Sequence, residues 1–275
     1  KLNKNQVLRI FSLRTFLKFE NMKFKLIFIF LLFLVGNVGN SQTKLLQKYV
    51  KWRIDEKTKY HILPSYYVNQ DNGRKVFILK MIHINKPEFY QKVKQTLDSL
   101  RADGYVIFYE GVRDAKNGNE LYERKFRRIT HHSLMSYNDE ANEVDNKKFG
   151  IKGYVYQNDV DYGVNKDTDI NCDLSIKELV DKYEEKFGEV VLTDCDTNTP
   201  MGKKYKCSKK DKKGTDYMIL TLRDRHLLNE IENSKLDKIV VVYGITHSYA
   251  ISRKFENSSW KFVHLGNLIP NYHNF

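Results

Sequence analysis

The sequence predicts an α/β domain with a central, mostly parallel mixed sheet flanked by helices, and three observations carry that prediction. Runs rich in apolar β-formers recur at residues 75–82 (KVFILKMI), 105–109 (YVIFY) and 238–243 (KIVVVY). Stretches with apolar residues at helical spacing separate these runs. Each run also ends on residues able to do chemistry: His83, Glu110, and the segment Gly244-Ile245-Thr246-His247. As parallel strands of one sheet, all three would deliver their ends to a single carboxyl edge, where open α/β sheets bind ligands.

Residues 60–68 (YHILPSYYV) read as an edge strand, because Pro64 has no amide proton to give a ladder. The Asp71-Asn72-Gly73 turn then predicts a hairpin with the strand at 75–82. After His83, Asn85 is a candidate cap and Pro87 suits the first helical turn. Phe89, Val93, Leu97 and Leu100 repeat on one helical face, and Gly104 ends the element before the strand at 105–109. This strand–helix–strand unit is a parallel crossover.

Farther along, residues 120–135 predict a mostly polar helix, followed by a stretch rich in Asn, Asp and Gly. Ser175-Ile176-Lys177-Glu178 is a capping box; it opens a helix with Ile176, Leu179, Val180 and Tyr183 inward and Gly188 at its end. Residues 189–193 read as a short strand, 216–233 as a second helix with Met218, Leu222 and Ile231 inward, 248–254 as a third, and 260–265 (WKFVHL) as a last strand.

The N-terminal region has a different character. Met22-Lys23-Phe24-Lys25 supplies a cationic start, residues 26–35 (LIFIFLLFLV) are wholly apolar, and Gly39-Asn40-Ser41 places small residues before a cut at Ser41-Gln42. This layout predicts a secretory signal over 22–41, with 1–21 upstream of it and a single domain over 42–275 exported to a periplasmic or extracellular space. The apolar run falls short of the ~20 residues a membrane helix needs, so membrane attachment is expected only through an uncleaved signal.

The formal net charge is +13, and residues 203–213 (KKYKCSKKDKK) hold seven lysines against one Asp. A nucleic-acid groove would interleave aromatics with arginine along a face, whereas only Tyr205 interrupts this run. It reads as a solvated insertion near 195–214, and no nucleic-acid partner is expected. Three cysteines follow the signal: Cys172, Cys195 and Cys207. An exported chain permits a disulfide but the odd count leaves a thiol over. Joining Cys195 to Cys207 would close a short ring around most of the insertion; three free thiols are the alternative. The spacings match no zinc ribbon.

The candidate site is the set of strand ends. A carboxylate directly after an apolar strand, as Glu110 is, needs a partner to offset its desolvation. Gly244 lets the backbone turn sharply or lets a ligand approach, and His247 falls near the mouth of the next helix. Arg223, on the helix before the last core strand, is placed to hold Glu110 ionised or to meet a developing oxyanion. His61, His131, His132, His264 and His273 read as surface or structural residues, and Arg225 and His226 have no better case.

In order and spacing, His83, Glu110, Arg223 and Gly244 with His247 resemble the TraB/GumN and TIKI family, which is related to the erythromycin-esterase and ChaN-like fold. That family carries a Gly-x-x-His motif after the first core strand, a Glu after the next, and a second Gly-x-x-His near the C-terminus, commonly preceded by an Arg. The similarity spans residues 75–112 and 216–250, with a looser match at Asn171-Cys172-Asp173. Lys80 departs from the pattern, standing where the family has Gly. The resemblance implies a hydrolase acting on a peptide or a small-molecule ester. Three mechanisms fit it. His83, Glu110 and His247 would hold Mn, Co, Zn or Fe and lower the pKa of bound water, as in metalloprotease-like members. Without metal, a histidine or Glu110 is the general base. In a non-catalytic alternative of the ChaN-like type, the crevice binds haem or another ligand.

Overall fold

The computed structural model describes residues 47–56, 64–113, 120–132, 151–201, 203 and 205–263. The chain divides into two compact units, Lys1–Lys51 and Trp52–Phe275. Of the first, residues 47–51 are described and are helical; the predicted signal lies outside the described residues. No helix among the described residues is long and apolar enough to cross a membrane.

The second unit is built on a six-stranded mixed sheet flanked by helices. In chain order its strands are β1 (Ser65–Asn69), β2 (Lys75–Met81), β4 (Val106–Tyr109), β6 (Ile170–Asn171), β7 (Lys238–Gly244) and β8 (Trp260–Val263), and in space they run β6-β4-β7-β2-β1-β8. Strands β6, β4, β7 and β2 are mutually parallel, while β1 and β8 are antiparallel additions at one side. A separate two-residue ladder joins β3 (Ile84–Asn85) to β5 (Val155–Tyr156).

The central strand is β7, whose Ile239, Val240, Val241, Val242 and Tyr243 are at most 2 % exposed. A strand covered on both faces reads as a continuous apolar run, which is the pattern of KIVVVY. Helix α1 (Pro87–Ala102) covers one face, setting Phe89, Tyr90, Val93 and Leu97 against Phe77, Leu79, Met81, Ile107 and Val242. Helices α6 (Arg223–Asn233) and α7 (Ile245–Glu256) cover the other, packing Leu227, Ile231, Ile251 and Phe255 on Val76, Ile78, Phe108 and Val241. A third cluster joins α2 (Glu120–Thr130) and α3 (Ile176–Phe187) through Phe126, Ile129, Ile176, Leu179 and Val180.

The hairpin forms at Asp71-Asn72-Gly73, with Gly73 at φ 75° and its amide donating to the Asn69 carbonyl at 2.9 Å. The Ser175–Glu178 capping box is present in both directions, and Gly188 ends α3.

Four expectations need correction. Strand β1 is not an edge: β8 pairs along its outer side, and Pro64 precedes the first paired residue, so no ladder donor is lost. Asn85 does not cap α1; Lys86 holds the cap position, and Asn85 accepts from the Lys86 amide instead. Residues 189–193 form no strand, because Thr193 and Asp196 make a capping box that winds the chain into the short helix α4 (Asp194–Asn198). Helix α7 starts at Ile245 rather than at 248, so His247 lies inside its first turn.

Cys195 and Cys207 are joined, and Cys172 is a buried free thiol. The bridge closes a separation of 12 residues that holds three of the seven lysines of the run. Inside it, buried Asp196 receives Arg128 and the Tyr205 hydroxyl, so the base of this charged insertion is tied to α2. Chain entropy assigns a ring of this size ~3 kcal/mol. The paired substitution Cys195→Ser/Cys207→Ser is therefore expected to lower unfolding free energy in urea by roughly that amount. Intact-mass analysis after denaturing alkylation without reductant should count a single modified thiol.

Candidate functional site

Parallel register decides what meets at the carboxyl edge. Met81 on β2 pairs with Gly244 on β7, and Tyr109 on β4 pairs with Val242. Glu110, one residue past β4, sends its amide to the Val242 carbonyl at 3.0 Å, which fixes its side chain over the end of β7. His83 is two residues past β2 on the other side of the same strand. Both lie on one rim with Gly244 between them.

The Arg223 guanidinium joins these ends from below. Its Nε and Nη2 donate to Asp173 Oδ1 and Oδ2 at 2.9 and 2.6 Å, a two-pronged pair. Nη2 also donates to Glu110 Oε1 at 2.7 Å, and Nη1 lies 3.2 Å from His247 Nε2. Glu110 Oε2 accepts the Gly244 amide at 2.5 Å. On the far side of the imidazole, His247 Nδ1 lies 2.6 Å from Asp224 Oδ1. A guanidinium can only donate and a carboxylate can only accept. The neutral tautomer with its proton on Nδ1 therefore satisfies both neighbours of His247 at once.

Arg223, Asp173 and His247 are buried at 6, 0 and 5 % exposure, so this is a desolvated ion cluster. Burial alone would raise the Glu110 pKa, yet Arg223, then His247 and His83, and the Gly244 amide hold it below its ordinary 4.5. Burial likewise works against the Arg223 charge, and Asp173 and then Glu110 more than reverse it, raising its pKa. A Cβ at Gly244 would sit 3.0 Å from Glu110 Oε2, a tight contact that the carboxylate would have to yield to.

Helix geometry explains how Arg223 and Asp224 reach the cluster. The helix α5 (Lys212–Asp216) passes into a π-helical stretch, Tyr217–Leu222, immediately before α6. The wider turn inserts an extra residue and re-aims the first turn of α6, a device common at functional sites. Buried apolar positions record it: Met218 to Leu222 is a step of four, Leu222 to Leu227 a step of five, and Leu227 to Ile231 four again.

Comparison of the chain with protein-family models, with curated proteins and with solved structures finds no match. Its functional reading therefore rests on the geometry of the site itself.

Of the residues expected at the site, Arg223, Gly244 and His247 all meet Glu110. His83 is on the same rim, exposed, and close enough to Glu110 to favour its ionised form. Lys80, half-buried on the α7 side of β2, holds its Nζ 6.0 Å from the Tyr249 ring, and burial lowers its pKa. Asp173 and Asp224 were not singled out by sequence. Asp173 belongs to the looser Asn171-Cys172-Asp173 match, and the five-residue step into α6 was the available sign for Asp224. Cys172 is no nucleophile here, since burial pushes its thiol up to about 12.

The donor set does not fit a divalent ion as arranged. Glu110 Oε1 and His247 Nε2 are 3.5 Å apart, and the guanidinium bonds to both, occupying the position an ion shared by them would need. Among the described residues no three His, Cys, Asp or Glu side chains gather as metal ligands. All three nitrogens of Arg223 have protein partners, so its charge is committed to holding the cluster.

Removing the guanidinium while leaving the carboxylates buried should be severe. Arg223→Met is expected to cost ~3–5 kcal/mol in chemical denaturation. Glu110 has a depressed folded pKa, so its stabilising contribution is complete above the ordinary carboxylate value of 4.5 and is lost as pH falls through the lower folded one. Unfolding free energy should drop with acid in that window, and Glu110→Gln should flatten the slope there while lowering stability at neutral pH.

Proposed function

We propose that the chain is an exported hydrolase of the TraB/TIKI kind, on an erythromycin-esterase/ChaN-like sheet, cleaving an ester or peptide bond by metal-free acid–base chemistry at His83 and Glu110. The observation that carries this reading is an ionised Glu110, locked by Arg223 and the Gly244 amide, beside the exposed imidazole of His83 on one sheet edge. The Cys195–Cys207 bridge and the apolar run at 26–35 support export.

In this mechanism His83 takes a proton from water as the water oxygen bonds to the substrate carbonyl carbon. The imidazolium so formed faces the Glu110 carboxylate, whose fixed negative charge stabilises it. When the carbon–oxygen or carbon–nitrogen bond breaks, His83 returns the proton to the leaving group. Arg223 and the Gly244 amide keep Glu110 charged, while Asp173 and Asp224 hold Arg223 and His247 in place, none of them touching the reacting atoms.

A second reading, a non-catalytic crevice in which His83 binds haem, draws on the complete pairing of Arg223 and of both Glu110 oxygens. The two readings separate experimentally. With chromogenic esters and fluorogenic peptides, His83→Ala is expected to lower kcat/KM by about 10²–10⁴, with an unchanged circular dichroism spectrum because the residue is exposed. Chelators should leave the rate unaltered. Equal turnover by wild type, His83→Ala and Glu110→Gln would sink the hydrolase reading, and a Soret band on haem titration that His83→Ala abolishes would select the second.

A further inference from the structure

The rim has a second wall, opposite α6 and α7. Strand β5 pairs with β3, matching Tyr156 to Ile84, and the next amide, that of Gln157, donates to the His83 carbonyl at 2.8 Å. The segment then runs through Val160, Tyr162 and Val164, which pack onto the α1 face of the sheet beside Met81 and Tyr109. Gln157 is therefore pinned next to His83 by backbone pairing on both sides of the β2 exit.

Its side chain is not satisfied by that arrangement. Gln157 Oε1 is enclosed and, among the described residues, has no hydrogen-bond partner. Tyr162 bridges the distance to the ionised carboxylate: burial raises its hydroxyl pKa, the neighbouring Gln157 side chain draws it back, and Tyr109 and Glu110 raise it again. Gln157 thus adjoins His83 through its backbone and Tyr162 through its side chain, and Tyr162 lies near Glu110.

We propose that Gln157 is a specificity-determining residue of this centre, its Oε1 accepting a hydrogen bond from an N–H or O–H of the ligand held at His83 and Glu110. This rests on the crevice being the working site of the proposed hydrolase. A buried acceptor without a partner carries a desolvation cost that a ligand donor relieves, whereas an isostere lacking the donor leaves the cost in place. The ligand class is therefore one with a donor beside its carbonyl, as a backbone amide has and a simple ester has not.

The test is a matched pair of probes titrated into the full chain by calorimetry: N-acetyl-trialanine N-methylamide, and the O-acetyl-trilactate methyl ester in which every N–H is replaced by oxygen. Wild type is expected to bind the amide on the order of 10- to 100-fold more tightly. Gln157→Leu, similar in size but without an acceptor, should remove that preference by weakening the amide alone, and Gln157→Glu, which keeps an acceptor oxygen, should retain it. Equal binding of the two probes by wild type, a preference that survives in Gln157→Leu, or no binding of either overturns the proposal. A preference present without any hydrolysis would overturn the hydrolase reading alone and leave the recognition role standing.

Discussion

The carboxyl edge of this sheet is organised by one buried guanidinium. Arg223 bonds to the end of β4 through Glu110, to the segment after β6 through Asp173, and to α7 through His247. Each partner alone would be a poor tenant of a desolvated site, because an unpaired buried charge is far more costly than a paired one. Together they hold one another in place, and the loss of any one destabilises all of them. The π-helical stretch before Arg223 belongs to the same constraint, since a regular helix would carry residues 223 and 224 to a different face.

Much of this was legible in the chain. Strands β2, β4 and β7 read as apolar runs because each is covered on both faces, and a polar residue after such a run is conspicuous. That contrast exposed His83, Glu110 and the Gly244–His247 segment. Asp173 was nearly hidden, because β6 is two residues long and partly exposed, giving no apolar run to end. Asp224 sits beside Arg223 in a charged stretch where spacing does not distinguish a solvated carboxylate from one facing a buried imidazole. The failed strand at 189–193 has a comparable cause: β-formers there meet a capping box whose local hydrogen bonds determine the backbone, and Val191 is left 67 % exposed. The edge assignment for β1 failed because a proline excludes pairing only where its own nitrogen would have to donate, and Pro64 lies outside the ladder.

The lysine-rich insertion shows a similar division between what spacing reveals and what packing decides. Its charge is written in the sequence, and so is the option of a short disulfide ring. That Asp196 lies beneath it, buried, bonded to Tyr205 and paired with Arg128, depends on α2 lying alongside. Arg127 on the same helix is 1 % exposed and donates to the carbonyls of Asp196, Thr199 and Pro200. A helix that reads as mostly polar thus uses its arginines as interior struts, so a binary polar–apolar pattern undercounts what it buries.

The balance of charge in the cluster bears on the proposed mechanism. Two carboxylates, on Glu110 and Asp173, share one guanidinium, and the His247 ring links it to a third, on Asp224. Asp173 is fully enclosed and commits its two oxygens to Arg223 and to the Gly111 and Leu174 amides. The other two carboxylates, Glu110 and Asp224, reach solvent in part, with side chains 15 and 16 % exposed. Of these, Glu110 shares its rim with the exposed imidazole of His83. Under the proposed mechanism this is a division of labour, in which buried residues fix the Glu110 carboxylate and the exposed imidazole at the edge handles the proton.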